Sequence, residues 1–90
     1  MKKTVITVVG KDSVGIIAKT CTYLAENQVN ILNISQTIVD GFFNMMMIVD
    51  TENFGKEFGT MVDELEALGE KMACIIKVQR EDIFDSMHRL

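Results

Sequence analysis

Asp40-Gly41 falls near the middle of the chain, between two stretches of β character, and that dipeptide does most to restrict the fold. A two-residue reversal needs positive φ angles, which Gly tolerates cheaply and Asp better than most side chains. The stretches on either side, Val29 to Asp40 and Phe42 to about Val49, are therefore expected as neighbouring antiparallel strands. In the first, Leu32, Ile34 and Ile38 fall on one face and Asn33, Ser35 and Thr37 on the other, so the strand is only half apolar. The second reads Phe-Phe-Asn-Met-Met-Met-Ile-Val, apolar in nearly every position, which predicts cover on both of its faces.

The rest of the chain supplies partners for this hairpin. Lys3 to Val9 is rich in β-branched residues and stops at Gly10, a strand followed by a turn. From Gly15 onward Ile16, Ile17, Cys21, Leu24 and Gln28 fall near one helical face, with Ser13 in the N-cap place and Asn27-Gln28 at the end. After the polar stretch Asp50 to Lys56, the residues Phe54, Phe58, Met61, Val62, Leu65 and Leu68 recur at helical spacing, closed by Gly69 as C-cap. Met72 to Gln79 alternates as a fourth strand, and Glu81 to Leu90 sets Ile83, Phe84, Met87 and Leu90 on one side of a short helix. The expected fold is α+β and ferredoxin-like: a βαββαβ sandwich with a four-stranded antiparallel sheet, two helices on one face because each crossover is right-handed, and a short C-terminal helix. The second face of the sheet then needs the terminal helix or another subunit over it, which makes a homodimer the natural expectation.

Ninety residues give one domain over 1–90, a core of 1–80 and the terminal helix of 81–90, with no room for a separate catalytic domain. A net charge of −4 and scattered Lys and Arg residues argue against nucleic acid as a partner. No apolar run approaches the roughly 20 residues of a membrane span, and Met1-Lys2-Lys3 does not lead into a signal peptide, so a cytoplasmic location is expected. Cys21 and Cys74 fall inside apolar patterns and read as small buried hydrophobes, with a disulfide as the alternative. Catalysis would need a nucleophile with a base, a carboxylate pair in a cleft or a metal, and the one histidine, His88, stands near the end of the terminal helix. Met45, Met46 and Met47 alternate between strand faces and cannot converge on a soft metal. No cofactor, no metal and no enzymatic activity are expected.

Gly10-Lys11-Asp12-Ser13-Val14-Gly15-Ile16-Ile17 is not a phosphate-binding loop, because Ile16-Ile17 stand where that motif needs Lys and Ser or Thr. What remains is a strand-to-helix turn in which Asp12 or Ser13 caps the helix, or whose helix-start N–H groups hold an anion. Asp12-Ser13-Val14-Gly15-Ile16 after a strand, followed by Asn30-Ile31 opening the next one and by Ser35-Gln36, resembles the pattern of the ACT domain family over almost the whole chain. The likeness is to small stand-alone members and to the ACT domains of glycine cleavage repressors and formyltetrahydrofolate deformylase. That resemblance implies a regulatory domain, binding an amino acid where domains meet. Asp12 and Asn30 would be the polar contacts, with Lys11, Ser13, Gly15 and Ile31 around them. Asp12 could accept from the ligand's ammonium, and the Asn30 amide or the helix-start N–H groups could serve its carboxylate; Asn30 also has a plainer reading as a turn residue. Val14 stands where the family often has Pro. The competing reading is an interaction module whose sheet edge or Met-rich face is the functional surface.

Overall fold

Asp40 and Gly41 adopt φ of 51° and 80°, and the reversal they form sets β2 (Asn30–Val39) antiparallel to β3 (Phe42–Asp50), paired from Val39↔Phe42 to Asn30↔Asp50. The computed structural model describes residues 2–11 and 13–82. Around the hairpin lie β1 (Lys3–Gly10), α1 (Ser13–Glu26), α2 (Phe58–Lys71) and β4 (Ile75–Arg80), giving βαββαβ and the sheet order β2-β3-β1-β4, antiparallel throughout. The expected terminal helix lies, beyond Asp82, outside the described residues.

One face of the sheet carries Ile6 and Val8 of β1, Met45, Met47 and Val49 of β3, and Ile76 of β4, all at most 4% exposed. Ile16 and Leu24 of α1 and Met61 and Leu65 of α2 close over them in one cluster. Each of these side chains contributes on the order of 1.5–3 kcal/mol by leaving water. The helices approach closely where glycine allows it. A Cβ on Gly10 would stand 2.5 Å from Ile16 Cδ1 and 2.6 Å from Cys74 Cβ, and one on Gly69 would stand 2.9 Å from the Cys74 carbonyl oxygen.

Gly69 is thus a buried contact inside α2 and not the cap its position suggested; the helix runs on to Lys71. Both helices end in the same way. In α1 the Val29 amide donates to the Leu24 carbonyl and the Gln28 amide to Ala25, with Gln28 at φ 58°. In α2 the Cys74 amide donates to Gly69 and the Ala73 amide to Glu70, with Ala73 at φ 52°. These are Schellman closures with a non-glycine residue in the left-handed position. The second one uses residues 72–74, so β4 begins at Ile75 and not at Met72 as the alternation implied. Gln28, expected on the buried side of α1, is exposed past its end, and Thr20 takes the buried place between Ile16 and Leu24. Ser13 is the first residue of α1 and not a flanking cap.

Two expectations about the hairpin change. β3 is fully buried on one face, at Phe43, Met45, Met47 and Val49, and only partly on the other: Ile48 is half-buried beside the buried Val5, whereas Phe42 and Met46 are exposed, as are Val9 and Ile75 near them. In β2 a bulge between Ile31 and Asn33 removes Leu32 from the alternation, and Ile34 and Ile38 share a side with Met47 and Phe43. Yet every residue of β2 is exposed, because it is an edge strand beyond the reach of both helices.

Candidate functional site

The strand-to-helix turn is short. β1 ends at Gly10, Lys11 is exposed, Asp12 lies outside the described residues, and α1 has begun by Ser13, with Gly15 half-buried in its first turn. The Lys11 ammonium lies 5.4 Å from the centre of the Phe42 ring, which leans the turn toward the β2–β3 end of the sheet.

Asn30 and Ile31 are elsewhere. The register places Gly10 opposite Phe43 and Lys3 opposite Asp50, and Asn30 pairs with that same Asp50. Seven residue steps separate the two ends, so the Asn30 end lies roughly 25 Å from Gly10 within one chain. The five candidate residues that the structure describes therefore divide: Lys11, Ser13 and Gly15 gather at one end of the sheet, Asn30 and Ile31 at the other. A site using both groups needs a second chain.

The Asn30 end holds a feature that sequence reasoning missed, a cavity of about 850 Å³. Its lining comes from the start of β1, the β3–α2 connection, the first turn of α2 and the end of β4. Residues drawn from four separate segments carry no local motif, and the Phe54, Phe58, Met61 periodicity signals only a helix. A shallower depression of about 220 Å³ lies on the exposed sheet face, lined by uncharged side chains that include Thr7, Ser35, Thr37, Asn44 and Met46.

Other polar groups join the helices. The Tyr23 hydroxyl of α1 donates to Glu64 Oε1 of α2 at 2.7 Å, and Lys56 Nζ donates to Glu64 Oε2 at 3.0 Å. The Tyr23 bond, then Lys56, hold the Glu64 carboxyl below its ordinary range, while burial and then Glu64 push the Tyr23 phenol up. Cys21 and Cys74 are free and half-buried rather than buried or joined, and burial raises the Cys74 thiol, which lowers its reactivity. Among the described residues no three His, Cys, Asp or Glu side chains converge on a metal position, and no helix is long and apolar enough to cross a membrane.

Comparison with known proteins agrees with this architecture. A UPF0237 protein of Bifidobacterium longum is 60% identical over 90 residues, covering the whole of both chains. The structure of an ACT domain protein from Streptococcus pneumoniae is similar at a TM-score of 0.82 and 39% identity, over 97% of this chain and 98% of that one. A formyltetrahydrofolate deformylase from Pseudomonas syringae matches at a TM-score of 0.79 and 18% identity, over 88% of this chain and 27% of that one, a likeness of fold alone. The family model for the ACT domain matches residues 2–79. With its βαββαβ order, its glycine-packed first turn and this match, the chain belongs to the ACT domain family.

Proposed function

We propose that this protein is a non-catalytic regulatory domain that works as a homodimer and binds a small molecule, an amino acid by class, between its two copies. The observation that carries the reading is the uncovered edge of β2. Ten consecutive residues are exposed there, Ile31, Leu32, Ile34, Ile38 and Val39 among them, with no charge and no proline along the strand. Such an edge offers a row of backbone donors and acceptors to another strand.

Two-fold antiparallel pairing of this edge with itself supports a shared site. A register that sets Asn30 of the partner subunit against Val39 brings it to the end of the sheet where Gly10 and Lys11 lie, since Ile38, Phe43 and Gly10 share one row. The separation of roughly 25 Å within one chain becomes about three strand spacings, roughly 14 Å, across the dimer. A ligand held there by Asp12, the Ser13–Gly15 helix start and the partner's Asn30 and Ile31 would favour the paired state by the difference in its affinity for dimer and monomer.

A thermal-shift screen against amino acids, with Asp12→Ala and Asn30→Ala alongside, tests this. A ligand of the folded state raises the melting temperature with concentration. Stabilisation of the parent chain and of neither variant is the expected result; the same shift in both variants would remove the site. The exposed Phe42 and Met46 favour a second reading, an adaptor for another protein. On that reading no metabolite shifts the melting temperature, and both variants still bind the partner.

A further inference from the structure

We infer that the cavity at the Asn30 end of the sheet is a second ligand site, complete within one chain, that takes a free amino acid with a large apolar side chain. The inference keeps the ligand class of the reading above and rests on it for that class alone; its residues are different and it needs no partner subunit.

The inner wall is mixed, with Thr4 and Thr51 beside three apolar side chains. Met61 is fully buried there, and Phe54 and Phe58 are half-buried beside it. Among the described residues the rim carries both signs: Lys2, Lys3, Lys56 and Arg80 with Glu52, Glu57, Glu81 and Asp82. Lys56 is engaged by Glu64 at 3.0 Å, so the cations that face a ligand are Lys2, Lys3 and Arg80. The Arg80 guanidinium lies 5.0 Å from the centre of the Phe58 ring, which orients the group at the mouth before anything binds.

The Glu57 side chain makes no capping bond, and its carbonyl takes the Thr60 and Met61 amides. The amides of Phe58 and Gly59, both in the cavity lining, are the remaining donors of that first turn. A carboxylate between Arg80 and these amides and an ammonium toward Glu57 or Glu81 use both signs of the rim. The side chain then covers the accessible parts of Phe54 and Phe58. A simple anion would meet Glu57 and Glu81, a simple cation would meet Arg80 and the lysines, and a hydrocarbon would desolvate the rim with nothing in exchange. The volume of about 850 Å³ lies within the range of small-molecule sites.

The test follows backbone amide resonances of the full chain during titration with L-phenylalanine and L-leucine. Phenylacetate and phenethylamine serve as probes that each lack one charge. Saturable shifts are expected at residues 2–4, 51–59 and 80–82, at least about tenfold weaker for either single-charge probe. Arg80→Ala should weaken binding about tenfold with the spectrum otherwise intact, Arg80→Lys should keep most of it, and Asp12→Ala and Asn30→Ala should leave it unchanged. Shifts confined to residues 10–15 and 30–31 would overturn the inference while leaving the dimer site standing. Equal binding of a single-charge probe, or unchanged binding in Arg80→Ala, would also overturn it. A blank titration rejects the cavity, and a blank thermal screen as well rejects the amino-acid reading with it.

Discussion

Thr20 is wholly buried on the inner side of α1, and its hydroxyl has no hydrogen-bond partner. A desolvated hydroxyl without a partner is unfavourable, and valine has nearly the same shape. Thr20→Val should raise stability by about 1 kcal/mol in chemical denaturation. Tyr23 and Glu64 form the opposite case, a polar pair whose protonation the fold controls. Glu64 has its folded value depressed, so its contribution is complete above the unfolded value of about 4.5 and disappears as pH falls through the folded one. Tyr23 has its folded value raised, so its contribution is complete below the unfolded value of 10.0 and declines as pH climbs beyond it. Tyr23→Phe should therefore lower the melting temperature at neutral pH and flatten its dependence on pH at both extremes. Neither residue stood out in the sequence. The helical pattern weighed Cys21 and Gln28 for the buried side, whereas the residues of α1 that are wholly buried are Ile16, Thr20 and Leu24.

At the scale of elements, much was legible. The Asp40-Gly41 reversal, the strand starting at Lys3 and the order βαββαβ all follow from local chemistry, because φ preference and alternation act over neighbouring residues. The helix ends were harder. Gly69 carried the usual signal for a C-cap, but that signal does not distinguish a left-handed backbone from a close contact, and here the contact with the Cys74 carbonyl governs. The left-handed position fell instead to Ala73, which is exposed, and a side chain there costs about 1 kcal/mol relative to glycine. Ala73→Gly should accordingly raise the melting temperature with no change of fold. Gly69→Ala should lower it, since the Cys74 backbone 2.9 Å away must shift to admit the methyl. A calorimetric scan of each variant checks both.

For the whole molecule, the candidate site was less legible than the fold. Lys11, Ser13 and Gly15 stand together as a local motif can show, but the roughly 25 Å to Asn30 depends on strand register, which no short motif encodes. Whether a site forms is then a question of assembly. Ile34→Lys and Ile38→Lys place charges on the exposed edge, so the single chain should fold as before while sedimentation shows the dimer dissociating at concentrations where the parent remains paired. The edge itself contains no ionisable group between Asn30 and Val39, although each copy carries a net charge of −4. The proposed association through it would gain nothing from electrostatic steering and would work against mutual repulsion, which counterions diminish. Raising the ionic strength should thus tighten the dimer and speed its formation, the reverse of what a salt-bridged interface would show.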